Sequence, residues 1–308
     1  MKMFMHMEKS DWEIISDLES FLGDSIDELE SFRKIMSKNK KCVLFFKNKV
    51  IALKLENCKL RFFPEFLSNL ESLQFMNLRF NYLENLPESF VSLKSLKTLD
   101  LSYNRLEALP DSFGLLRSLE ILGLSDNRLE YLPESFGQLE SLKSLVADRN
   151  QLKYLPNSFG DLKRLFSLHL SNNKLEKLPK SFGQLINLEI LNLAYNGFIR
   201  LPESIGKLNS LQALNLKSNK LLKLPDSFHR LRKLRHLDLK QNPFLFEKKD
   251  LMRLSIKDIL DYSREKEIEK MKKKMEENEK GFFRIDDGFI FDLRGTPYKK
   301  SSKKKNKS

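Results

Sequence analysis

Few side chains in this sequence could hold a metal or attack an electrophile: four histidines and two cysteines, set among 42 carboxylates. A zinc site needs three or four donors converging on one point, and a nucleophile needs a base within hydrogen-bond reach. His6, His169, His229 and His236 fall at no such spacing, and Cys42 and Cys58 form no C-x-x-C pair. Phosphate-binding glycine loops and the GxSxG nucleophile elbow do not occur. Nothing marks two of the carboxylates as a general acid and base. The sequence therefore predicts no enzyme activity, no cofactor and no metal. Recognition remains, and it needs side chains held in a fixed array.

The array is a repeat. Asn81, Asn104, Asn127, Asn150, Asn173, Asn196, Asn219 and Asn242 follow one another at 23-residue steps, and one step earlier stands Cys58. Leucines or near equivalents recur five and three residues before each asparagine, as in Leu99 and Leu101 or Leu122 and Leu124. Six residues after it comes Pro64, Pro87, Pro110, Pro133, Pro156, Pro179, Pro202 or Pro225, and nine after it Phe or Ile. The unit reads LxxLxxLxLxxNxLxxLPxSFGx. Its L-x-L pair puts two apolar groups on one face of a short strand, because strand side chains alternate. Stacked units then make a parallel sheet, with the asparagine amides bonding neighbouring backbone. Proline suits a tight non-helical return on the convex side, and the glycine column permits the turn back. No unit buries its own faces, so the stack is the stable object. The predicted fold is an α/β leucine-rich-repeat solenoid, a curved horseshoe with a parallel concave sheet between helical ends.

The repeating columns are core, so recognition falls to the residues that vary. Strand alternation aims the positions four and two before each asparagine into the hollow, with the position one before on the rim. Arg79, Phe80, Asp100, Tyr103, Asp126, Asp148, Arg149, His169, Asn172, Asn192 and Tyr195 stand in these columns. Exposed aromatics with arginine dominate protein–protein hot spots, so these eleven residues are the candidate partner-binding set.

The 23-residue unit with its LPxSFGxL return closely resembles the Ras-suppressor type of leucine-rich repeat, which includes plant intracellular Ras-group proteins and Scribble-like scaffolds. The resemblance covers about Val43 to Phe246. It implies a cytoplasmic adaptor in signal transduction, connected with small GTPases or phosphatases, and it carries over no catalytic residue.

Residues 1–41 are expected to form a helical N-terminal cap, 42–246 the repeats, 247–280 a C-terminal cap with a charged helix, and 281–308 a hairpin-like segment and basic tail. Ser10 with Glu13 makes a capping box for one helix, bearing Trp12, Ile15, Leu18 and Leu22 on one side. Ser25 with Glu28 predicts a second helix, and CVLFF and VIALKL a hairpin into the first repeat strand. REKEIEKMKKKMEENEK reads as a solvated, protruding helix, and Asp287-Gly288 as a hairpin turn.

The net charge is +13, and the last ten residues carry six lysines and no acid. With the basic residues of the last repeats, this makes nucleic acid or an anionic membrane surface the competing partner class. No stacking platform accompanies the charge, and no lipidation signal stands at the C-terminus. Two cysteines without pairing fit a reducing cytoplasm. No apolar run approaches the roughly 18 residues of a membrane span, and the start lacks a secretory pattern. A monomer is expected.

Overall fold

The computed structural model describes residues 9–37, 41–243, 255–280, 284–286 and 289–291. Eleven strands form one open sheet in chain order. The first three are β1 (Asp27–Leu29), β2 (Cys42–Phe46) and β3 (Lys49–Lys54). Eight three-residue strands follow, one per repeat: β4 (Phe75–Asn77), β5 (Thr98–Asp100), β6 (Ile121–Gly123), β7 (Ser144–Val146), β8 (Ser167–His169), β9 (Ile190–Asn192), β10 (Ala213–Asn215) and β11 (His236–Asp238). Each pairs in parallel with the next from β3 onward, leucine against leucine except at β4, where Met76 takes the place.

The leucine columns fill the space between sheet and convex returns; Leu99, Leu101, Leu122 and Leu124 are fully buried. Behind them Phe113, Phe136, Phe159 and Phe182 form a stack with centroids 6.2, 6.0 and 6.2 Å apart and near-parallel planes. The asparagines tie repeat to repeat. Asn127 Oδ1 accepts the Leu106 N–H at 2.9 Å, while its Nδ2 donates to Leu101 O and Leu124 O, both at 3.0 Å. One amide thus satisfies three backbone groups that no ladder reaches.

Two columns act for reasons other than those read from sequence. The return is helical: proline precedes a short 3-10 turn, such as Glu134–Gln138, and its carbonyl accepts the phenylalanine N–H, as Pro133 does from Phe136 at 2.9 Å. Proline fits there because its missing N–H would have been an orphan donor at the turn's start. The glycines take no positive φ in the repeats. They are required by close approach, since a Cβ on Gly137 would lie 2.3 Å from Ser158 O, and one on Gly160 equally close to Ser181 O.

At the front, α1 (Asp11–Leu22) starts on the expected capping box, with the Glu13 N–H to Ser10 Oγ at 3.3 Å and the Ser10 N–H to the Glu13 carboxylate at 2.6 Å. It buries Asp11, Ile14, Ile15 and Leu18, while Trp12 lies half-exposed, stacked on Phe45 at 3.9 Å. The buried Asp11 carboxylate accepts the Val50 N–H at 2.7 Å. The second predicted helix does not begin at Ser25. Gly23 turns the chain with φ 63°, the Glu19 carboxylate takes the Ile26 N–H at 2.8 Å, and β1 then pairs in parallel with β2. Covering an open sheet edge outweighs local helix propensity here. Only Phe32–Ser37, α2, is helical. The β2–β3 hairpin forms as expected, its turn carrying Lys47 and Asn48 at positive φ.

At the back, α3 (Ile256–Lys280) does not simply protrude. It lies along the last 3-10 turn, Asp226–Arg230, where Glu267 pairs with Arg230 at 2.8 Å and Lys270 with Asp226 at 2.7 Å. Its own Ile259 and Ser263 are buried against the solenoid. His229 occupies the glycine column because a helix, not another repeat, covers this turn; its Nε2 sits 3.2 Å from Glu267. Beyond it, β12 (Arg284–Asp286) and β13 (Phe289–Phe291) pair antiparallel, while the Asp287-Gly288 turn and the lysine tail lie outside the described residues. No helix among the described residues is long and apolar enough to cross a membrane.

Candidate protein-binding surface

Every repeat places the residue before its asparagine in left-handed backbone. Phe80, Tyr103, Asp126, Arg149, Asn172 and Tyr195 have φ of 55°, 58°, 54°, 54°, 54° and 54°. The backbone forces this: each N–H at that position donates to the carbonyl one residue earlier in the next repeat, as Tyr103 does to Ser125 O at 2.8 Å. The conformation bends the chain away from the strand and pushes the side chain onto the rim. Asn and Asp adopt it readily, whereas a Phe, Tyr or Arg there is disfavoured by about 1–2 kcal/mol. Phe80, Tyr103, Arg149, Asn172 and Tyr195 are all exposed.

The candidate residues fall into three groups. At the N-terminal end Phe80 stacks on Tyr103, centroids 4.4 Å apart. The Arg79 guanidinium lies 5.1 Å from the first ring and 5.4 Å from the second. Arg79 Nε forms an ion pair with the Asp100 carboxylate at 3.5 Å but makes no hydrogen bond. Asp100 also accepts the Ser102 N–H at 3.0 Å, and it reaches across Gly123, where a Cβ would stand 2.6 Å from its oxygen.

In the middle, Arg149 pairs with Asp126 at 3.5 Å, while Asp148 accepts the Ser171 N–H at 2.6 Å and its hydroxyl at 2.7 Å. Asn172 reaches the same hydroxyl at 3.5 Å. Towards the C-terminal end, His169 and Asn192 line a shallow groove of about 530 Å³ with Ile190, Ala213, Asn215 and His236. His169 Nε2 contacts Ser167 Oγ at 3.2 Å, and Asn192 accepts the Ala194 N–H at 3.2 Å. Tyr195 stands on the rim beside Lys217, whose hydrogen bond to the phenol oxygen holds the Tyr195 pKa below its ordinary range. Tyr103 and Tyr195 are four strand spacings apart, about 19 Å, so they do not share one contact.

The columns are not equally open. Ser102, Ser171 and Ala194, two before their asparagines, are buried. The sequence reading missed a third inward column, six before each asparagine, where Ile121 and Ile190 are 48% and 40% exposed and Phe75 is covered by Phe32. Extending the same alternation by one step would have found it. Phe166, one residue earlier in its repeat, is also exposed beside this column.

The regular 23-residue stacking agrees with the sequence comparisons. The chain matches the model of the leucine-rich repeat region over residues 29–147 and 180–273, and a second leucine-rich-repeat model over 132–175. This chain belongs to the leucine-rich repeat family. No curated protein matches its sequence. Among solved leucine-rich repeat structures, one from Leptospira interrogans is 29% identical, with a TM-score of 0.56 over 71% of this chain and 60% of that one. The plant peptide hormone receptor RGFR1, solved in complex with RGF2, is 32% identical, with a TM-score of 0.58 over 63% of this chain and 32% of its own. YopM from Yersinia enterocolitica is 31% identical, with a TM-score of 0.51 over 62% of this chain and 38% of its own. The chain thus spans less than two thirds of each of these relatives.

Proposed function

We propose that this leucine-rich repeat chain is a non-enzymatic scaffold that holds a protein partner on its concave face and rim. The observation that carries the reading is the occupancy of the left-handed rim column. Asn57 and Asn172 sit there at little cost, but Phe80, Tyr103, Arg149 and Tyr195 do so against their backbone preference. The fold does not need those four side chains, which are exposed and support no core. Strain held at exposed aromatic and arginine positions is a mark of recognition, because these types supply large contact area at low entropic cost. A related solenoid, RGFR1, was solved with RGF2 bound, in keeping with a role in complex formation.

The resemblance to Ras-suppressor repeats makes a small GTPase or a phosphatase the first partner class to try, in cytoplasmic signalling and with the chain as a monomer. The docking set comprises Arg79, Phe80, Asp100, Tyr103, Asp126, Asp148, Arg149, His169, Asn172, Asn192 and Tyr195, with Ile121 and Ile190 as the apolar floor. The test is affinity capture with mass spectrometry, followed by titration of the captured partner. Combined Phe80→Ala, Tyr103→Ala and Arg149→Ala should weaken binding at least about a hundredfold, given hot-spot losses above about 1 kcal/mol per residue. Unchanged capture of every partner by a variant that melts like the parent would sink the proposal.

A further inference from the structure

A second surface lies at the other end of the solenoid. Between the last repeat and the first turns of α3 runs a cleft of about 1150 Å³. Arg232 and Arg235 enter it from the repeat, Lys257 and Arg264 from the helix, and one carboxylate, Asp261, faces them. The neighbouring cations are spent: Arg230 on Glu267 and Lys270 on Asp226. Among the described residues the side chains of the four cleft cations make no ion pair or hydrogen bond. The amino end of the 25-residue helix α3 opens at the same place, through Ser255, Ile256 and Lys257. Asp258 occupies only the capping box, taking the Ser255 N–H at 3.0 Å and its hydroxyl at 2.7 Å. Unspent arginines and a positive helix end therefore converge on one cleft.

We infer that this cleft binds an acidic peptide segment of a protein partner. The inference rests on the scaffold reading but uses none of the eleven candidate residues of the concave set; Arg235 and Ile256 also border the groove of His169 and Asn192, whereas Arg232, Lys257 and Arg264 do not. Three of the four cations are arginines, whose planar forks pair two-pronged with carboxylates or a phosphoryl group. Between them Leu234, Ile256 and Leu260 present aliphatic surface. A peptide can set an apolar side chain there while its acids meet the guanidiniums. Single-stranded nucleic acid would want aromatic rings free to stack on; the cleft has no Phe, Tyr or Trp, and its His229 is held between Glu267 and the Asp226 carbonyl. A bilayer is flat, whereas this surface is recessed between two elements.

The test titrates the full chain against fluorescein-labelled peptides by anisotropy. One peptide interleaves glutamates with leucines, a second carries phosphoserine in place of two glutamates, and a third has glutamine at every glutamate. Poly(U) RNA and phosphatidylserine vesicles complete the probes. The wild type should bind both acidic peptides and not the glutamine one. Arg232→Gln, Arg235→Gln and Arg264→Gln together should weaken acidic binding by at least about tenfold, as expected for lost charge-assisted bonds. Asp261→Asn should tighten it severalfold, which guards against reading a folding defect as lost binding. Replacing Lys303, Lys304 and Lys305 by glutamine, or Phe80, Tyr103 and Arg149 by alanine, should leave it unchanged.

Equal binding by the cleft variant, no preference over the glutamine peptide, or tighter cleft-dependent binding of RNA or vesicles would overturn the inference. Loss of acidic binding in the concave variant alone would move the acid site to the concave face. That outcome overturns the cleft while keeping the scaffold.

Discussion

At the scale of single residues, the sequence was most readable where one side chain serves backbone geometry that repeats. The asparagine column is such a case, since a period of 23 residues with one amide in register leaves few other structures. The rim column was placed correctly but its backbone was not foreseen, because Phe, Tyr and Arg carry no left-handed signal of their own. Cys58 shows how position alone misleads about chemistry. It stands in the asparagine column, yet its Sγ reaches only Glu56 O, at 3.6 Å, and burial pushes its thiol up to about 11. A thiol raised in this way stays protonated, and therefore unreactive, until the pH climbs toward that value. Iodoacetamide should label Cys58 in the folded chain at pH 8 about a hundredfold more slowly than in urea, the rate rising with each pH unit above that. Mass spectrometry of the Cys58 peptide gives the rate. Equal labelling in both states would show that the thiol is not sheltered.

At the scale of elements, the regular parts were legible and the ends less so. Capping boxes announce a helix only when nothing else competes. Ser10 and Glu13 had no competitor, whereas the segment after Ser25 was drawn into the sheet by the unpaired edge of β2. The docking of α3 was hidden because Glu267 and Lys270 look like ordinary solvated charges until the last 3-10 turn is set beside them. Departures from the repeat are therefore informative at this scale. Glu134 accepts the N–H groups of Asn157 and Ser158 in the next return, at 3.2 and 3.3 Å, and Glu203 those of Asp226 and Ser227, at 3.1 and 2.9 Å. Lys180 holds the equivalent place before Ser204, whose buried hydroxyl has no partner. The Ser181 and Ser227 hydroxyls, by contrast, donate to Asn157 O and Glu203 O. Lys180→Glu should supply the missing cap and raise stability by about 0.5–1 kcal/mol, read by urea denaturation. A loss of stability, or none gained, would mean that carboxylates in this column do not act as caps.

At the scale of the whole molecule, the stack is nearly one-dimensional, and that decides how damage should spread. In the convex column each ring of the stack meets the rings of the adjacent repeats, and Phe136 lies fully buried between Phe113 and Phe159. Phe136→Ala should remove about 3–5 kcal/mol locally, the usual range for a large buried ring. Because coupling runs repeat to repeat, the loss should decay along the solenoid rather than fall evenly on it. Hydrogen exchange should quicken most in β6 and β7 and their returns, less in β9, and hardly at all in the β2–β3 hairpin, which α1 and its buried Asp11 hold independently. The candidate rim at Phe80 and Tyr103 would then keep its geometry while the middle of the hollow loosened. Equal acceleration at every amide would instead show a single cooperative unit, in which partner binding at either end would be felt along the full length.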